Sequence, residues 1–175
     1  GVGSVFCASN GSCIADANCW HADNSPNSPL WQRNPDHTQY YRYNTSPTPD
    51  QACAALKLCS FDDWKVPTVD EMRSIIRGCP AMQSGGSCGL TNICPYNASP
   101  CTNGCVECAA GGGPAGGCYW DAAFGDVCYM YWTSTNYYDA DFGSYRYRFV
   151  GPGGASIWSC DPSDGNYLIC VRRFQ

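Results

Sequence analysis

Fifteen cysteines in 175 residues constrain this chain more than any other feature. Thiols at that density are compatible with a stable fold where they are oxidised in pairs. Such pairs persist in a periplasm, on a cell surface or in the extracellular medium. Three Asn-x-Ser/Thr sequons, at Asn10, Asn44 and Asn97, point weakly the same way. A chain that opens at Gly1 instead of Met fits a mature product after signal-peptide removal. A secreted or cell-surface location is therefore expected. Fifteen is odd, so at least one cysteine is free, joined to another molecule, or bound to something.

A length of 175 residues is that of one domain and suffices to bury a core. Nineteen Gly and twelve Pro predict many turns and little helix. The net charge of −5 and a pI near 4.7 give the whole molecule no electrostatic footprint for DNA or RNA. No run approaches the roughly 18 apolar residues that span a bilayer, so no transmembrane segment is expected.

Residues 1–29 read as an irregular, Cys-containing extension in which Cys7, Cys13 and Cys19 lie six apart. Leu30-Trp31-Gln32 and Tyr40-Tyr41-Arg42-Tyr43 read as short strands. Two helices follow. Thr48-Pro49-Asp50-Gln51 supplies an N-cap hydroxyl, Pro at the first helical position and Gln at N3, ahead of a helix-favouring run to Leu58. Thr68-Val69-Asp70-Glu71 is a second capping box. Val69, Met72, Ile75 and Ile76 form its buried stripe, and Gly78 is the expected stop. Trp64, between the helices, is the expected core anchor.

Residues 78–128 hold eight cysteines and little periodicity, and read as a long insertion that buries little apolar surface and is held by covalent links. The last 48 residues alternate like strands, at residues 128–134, 142–150, 155–159 and 167–173. In Tyr145-Arg146-Tyr147-Arg148-Phe149 the aromatics take one face and the arginines the other, which predicts an antiparallel meander with one solvated face.

Catalytic signals are weak. Cys101-x3-Cys105-x2-Cys108 is half a zinc knuckle, for which Cys94 or Cys118 would be the fourth ligand, but disulfides outweigh that reading in an oxidising compartment. His21 and His37 lack a nucleophile and an orienting acid at any triad spacing, and read as surface groups. Glu71 and Glu107 are the only glutamates, and Glu71 is better used as a cap. No cofactor is required. Asp161, Asp164 and Asn166 offer oxygen ligands around a tight turn, and a calcium ion would pool them with Asp139 and Asp141, although the turn alone explains them better. Arg146, Arg148, Arg172 and Arg173 sit on neighbouring strands, as an anion site or, more simply, a solvated sheet face.

The most suggestive surface is aromatic: nine of the 21 residues from Tyr129 to Phe149 are Tyr, Trp or Phe. Strand alternation buries about half of them on one face. The segment Asn136-Tyr137-Tyr138-Asp139-Ala140-Asp141 is expected as an exposed loop. Rigid aromatics beside hydrogen-bonding groups are the mixture that protein binders use.

Three ordered motifs carry a family resemblance. Asp62-Asp63-Trp64-Lys65-Val66-Pro67-Thr68-Val69-Asp70-Glu71-Met72 resembles the "DWRLPTxxEL" signature of a bacterial surface-domain family. That family includes the C-terminal domain of the Legionella collagen-like adhesin and the Fibrobacter succinogenes major paralogous domain. Tyr131-Trp132-Thr133-Ser134-Thr135 resembles its "YWSST" strand, and Leu168-Ile169-Cys170-Val171-Arg172-Arg173 its "VRCVR" ending. Leu30-Trp31-Gln32-Arg33 is similar to its early "LMWQ" segment. The resemblance covers residues 30–77 and 128–175. It implies an α+β, C-type-lectin-like fold in which two helices flank twisted antiparallel sheets, with the chain ends close together. It also implies a bridge from the first helix to the last strand, here Cys53 to Cys170. The sugar motifs of calcium-dependent lectins are absent, and the cysteine-based site of formylglycine-generating relatives does not map onto this chain.

These readings converge on one C-type-lectin-like domain over 1–175 that is not an enzyme. It is expected to bind a glycan or protein ligand through Trp132, Asn136, Tyr137, Tyr138, Asp139, Asp141, Tyr145 and Trp158. The alternative is a structural subunit of an extracellular assembly, with self-association favoured by the odd cysteine and the weakly charged surface.

Overall fold

The computed structural model describes residues 18–21, 28–35, 37–94, 105–125, 127–141 and 143–173, and the backbone alone of 5–7, 13–15 and 149. Asn10, Asn97 and Cys101 lie outside them. The chain runs β1 (Val5–Cys7), β2 (Cys13–Ala15), β3 (Cys19–His21), β4 (Leu30–Gln32), α1 (Pro49–Ala55) and α2 (Val69–Ile75). A 3₁₀ turn (Ala122–Phe124) precedes β5 (Tyr131–Asp139), β6 (Ser144–Gly151), β7 (Ser156–Cys160) and β8 (Val171–Arg172). The class is α+β, with two short helices among antiparallel sheets ordered β1-β2, β3-β4-β8 and β5-β6-β7. The N-terminal stretch is thus more regular than its composition predicts. Its spacing of six reflects in part a hairpin that sets Cys7 opposite Cys13. The middle sheet brings early strands beside the last one.

Both helices begin where their caps predict. Gln51 N donates to Thr48 Oγ1 and Thr48 N donates to Gln51 Oε1 at 2.9 Å. Thr68 N donates to Glu71 Oε2 at 2.7 Å. Both helices end earlier than predicted. Past α1, Leu56 is extended, and Leu58 and Phe61 pair across a two-residue turn whose Cys59 and Ser60 take φ of 53° and 64°. The chain must reverse there because Cys59 is bridged to Cys19 while Cys53 is bridged to Cys170. Past α2, Ile76 is already extended and pairs with Trp120, so Gly78 turns the chain two residues later and does not stop the helix. The second predicted strand, 40–43, contributes only a bridge from Tyr40 to Asn166.

Two apolar clusters sit on opposite sides of the β5-β6-β7 sheet. Tyr131, Val150 and Ile157 are register partners and belong to the larger cluster, with Trp31 and the α2 stripe. Trp132, one residue on, faces the other way into the cluster of Trp64, Val66, Cys53 and Leu168. Three strands of the predicted meander form, whereas the fourth segment, 167–173, supplies β8 beside β4, and near Tyr131 and Trp132 the meander is covered on both faces. The arginines follow: Arg148 is buried, with its guanidinium 4.8 Å from the Tyr137 ring, and is no solvated stripe. Arg172 and Arg173 are committed to Asp63 and Glu71 at 2.6 Å each, so the four arginines form no anion site.

Against expectation, the described residues of 78–128 bury much apolar surface. Met82, Leu90, Tyr119, Trp120 and Phe124 all belong to the larger core. Their positions follow individual bridges, Cys79–Cys108, Cys88–Cys105 and Cys118–Cys128, and so carry no period. These bridges also replace the zinc-knuckle reading for Cys105, Cys108 and Cys118, and Cys94 is disulfide-bonded too. Arg73 of α2 is buried and threads this segment. Its Nε donates to Met82 O, Nη1 to Leu90 O and Nη2 to Gln83 O, at 2.7 to 3.1 Å.

Glu71 ties α2 and its N-cap to Arg173, just past β8. Burial opposes its ionisation, but bonds from Arg173 and from the Thr68 amide outweigh that and hold its carboxyl below the ordinary range. A depressed folded pKa gives stability that is present above the unfolded value, about 4.3, and lost as pH falls through the folded one. Acid denaturation should therefore lose part of its slope below that pH in Glu71→Gln. A parent and variant with parallel stability profiles from pH 6 to pH 3 would contradict this.

Candidate binding face

The register of β5 against β6 shifts between Trp132 and Asn136. Beyond the shift, Asn136 opposes Tyr147, Tyr137 opposes Arg146, Tyr138 opposes Tyr145 and Asp139 opposes Ser144. The expected loop 136–141 is thus mostly strand, and only its last two residues, 140 and 141, are in a turn. Paired tyrosines explain the difference, since cross-strand aromatic contacts stabilise strand over loop. The Tyr138 and Tyr145 rings meet edge-to-face with centroids 5.5 Å apart. Both remain open to solvent, at 58% and 59% exposure.

The structure divides the other expected contacts. Asn136 and Asp141 are exposed. Tyr137 is half-buried against Arg148. Asp139 is buried: one carboxylate oxygen accepts from Asp141 N at 3.1 Å and the other lies 4.0 Å from Arg146 Nε. Trp132 is fully buried, and its Nε1 donates to Tyr40 O at 2.7 Å, so it anchors the core and is no contact residue. Trp158 is 52% exposed and shares the Tyr138–Tyr145 face by alternation through β6. Its register partner lies four residues from Tyr145, roughly 13 Å along the strand. Between them, Arg42 covers Tyr147 with its guanidinium 4.2 Å from the ring. The exposed aromatics among the expected contacts therefore form two patches, a tyrosine pair at the hairpin end and a lone tryptophan.

The oxygen-rich turn closes on itself. Asp161 accepts from the Ser163 amide and hydroxyl at 3.0 and 2.7 Å, which holds its carboxyl below the ordinary range. Asp164 accepts from Asp161 N at 2.9 Å, and the Asn166 amide donates inward to the Cys160 sulfur. Among the described residues no group of three His, Cys, Asp or Glu is placed to hold a metal. His37 is exposed with its ring 5.8 Å from Tyr129, whereas His21 is half-buried with Nδ1 3.2 Å from Ser28 O.

Cys160 is the free cysteine among the described residues, and it is buried. Burial first, then Asp164 and Asp161, push its thiol up to about 12 against the opposing Arg42 and Arg146. A thiol this protonated has negligible thiolate at neutral pH. Native protein treated with a thiol-specific reagent should therefore leave Cys160 unlabelled in peptide maps until denaturant is added. Labelling within minutes in native buffer would contradict this.

No family model, curated protein or solved structure matches this chain. Its site is therefore argued from its own chemistry. Sequence reasoning missed Tyr43, exposed and held beside the Asp161–Asp164 turn because the amides of Arg42 and Tyr43 both donate to Pro162 O. No local signal marks that long-range pairing. Among the described residues, no helix is long and apolar enough to cross a membrane.

Proposed function

We propose that this is a secreted or cell-surface recognition domain with a C-type-lectin-like core. It binds a glycan or protein ligand, without catalysis, through the hairpin end of the β5-β6-β7 sheet. The observation that carries the reading is the Tyr138–Tyr145 pair, two large amphipathic rings left open on a strand pair whose other end is buried on both faces. A sheet buried at its root fixes the rings before a ligand arrives, which lowers the ordering cost of binding. Five described disulfides support an oxidising location. The Cys53–Cys170 bridge and the order of the three motifs support the lectin-like core. Trp158 is a separate, secondary contact.

An assembly subunit is the second reading. Exposed Ile93 and Val106 favour it, while the buried Cys160 removes that thiol as a covalent link between chains. Glycan arrays and pull-downs from surface-protein mixtures with wild type and Tyr138→Ser/Tyr145→Ser separate the readings. Loss of most signal in the variant, with unchanged melting temperature, is the expected outcome. Undiminished signal would sink the proposed face.

A further inference from the structure

We infer that the ligand at the hairpin end is a cationic protein segment, one that presents Lys or Arg side chains. This deepens the proposed function and rests on its reading of the Tyr138–Tyr145 pair as a binding face.

The first observation is geometric. The two rings stand 74° apart with centroids at 5.5 Å. Set edge to face, the pair offers no coplanar two-ring platform for an extended glycan, but it leaves a corner bounded by the face of one ring and the open half of the other's. Ring faces carry negative electrostatic potential, so such a corner suits a compact cation.

The second observation is the charge around that corner. Cys160 of β7 opposes Tyr147 of β6, so Asp161 follows beside Arg146, next to Tyr145. The Asp161–Asp164 turn therefore leaves the sheet edge at the level of Arg146, with Asp164 exposed, and the exposed Asp141 stands at the hairpin turn. The arginines of this region lie beneath the surface. The side chains of Arg42 and Arg146 are 7% and 17% exposed, and Arg148 is 5% exposed. Arg42 bonds Asp50 and Thr133 O, and lies over Trp132 and Tyr147. Cations turned inward and carboxylates turned outward give the tyrosine corner a negative rim, in a molecule of net charge −5. Complementarity then selects positive partners and repels nucleic acid or sulfated glycans.

The test uses the whole protein and a lysine–glycine peptide, with the same peptide acetylated on every lysine as its uncharged twin. Fluorescence anisotropy should show binding of the charged peptide only. Tyr138→Ser/Tyr145→Ser should weaken it about tenfold, the loss of two exposed cation–π contacts. Asp141→Asn/Asp164→Asn, which keeps hydrogen-bond acceptors in both side chains, should weaken it severalfold and flatten its salt dependence. Absence of peptide binding overturns the inference, and so does binding that the tyrosine variant leaves unchanged, which is generic attraction to an acidic chain. A neutral-glycan array run alongside distinguishes the two failures. Glycan signal abolished by Tyr138→Ser/Tyr145→Ser overturns the cationic ligand and leaves the binding face standing, whereas indifference of both probes to the tyrosines overturns both.

Discussion

Replacing Cys53 and Cys170 together by alanine should cost about 4 kcal/mol of stability, with the other bridges intact. The bridge spans 117 residues of sequence, the longest of the described five, and so restricts the unfolded chain most. Overlap with Cys19–Cys59 shortens the loop it closes, so a value near 4 is more apt than the nearly 5 of an isolated loop that long. Both sulfurs are also buried in the smaller cluster, with Trp64, Val66 and Trp132, so their removal adds a cavity. Equilibrium unfolding in denaturant measures the effect. A midpoint shift worth under 1 kcal/mol would show that packing alone fixes α1 against the end of the chain.

Arg73→Met should cost about 3–5 kcal/mol, because it removes three hydrogen bonds to a charged donor, each worth about 1.5 kcal/mol. Methionine fills much of the volume, so the loss reports on the guanidinium and not on a void. The carbonyl oxygens of Met82 and Leu90 would lose their donor inside the protein, and Gln83 O would keep only the amide of Gly86. Amide hydrogen exchange should accelerate first in residues 79–94, which Arg73 gathers onto α2. Uniform exchange and a melting point within about 2 °C of the parent would mean that water enters and satisfies those oxygens.

What was readable in the sequence is what is local. Each capping box lies within four residues, and both form as read. The α2 stripe and the β5-β6-β7 meander announce themselves by period, and Val69, Met72, Ile75 and Ile76 are all buried. What was not readable depends on distant partners. Trp120 and Phe124 sit in an aperiodic, glycine-rich run, and the disulfides that recruit such segments to the core leave no pattern in composition. Asp139 and Arg148 look like surface groups until the opposite strand buries them. The Cys53–Cys170 pair came only through a family resemblance, and nothing in the spacing of fifteen cysteines singles out Cys160 as unpaired. The candidate site was legible as a region, but the choice of Tyr138 and Tyr145 over Trp132 required the register.

Two bridges described above overlap in sequence, Cys19 with Cys59 and Cys53 with Cys170. A single proteolytic nick anywhere between residues 19 and 170 therefore yields no free fragment, because one bridge or the other still spans the cut. A clipped copy keeps both its halves, and with them the hairpin that carries the tyrosines, so damage by hydrolases need not end its working life.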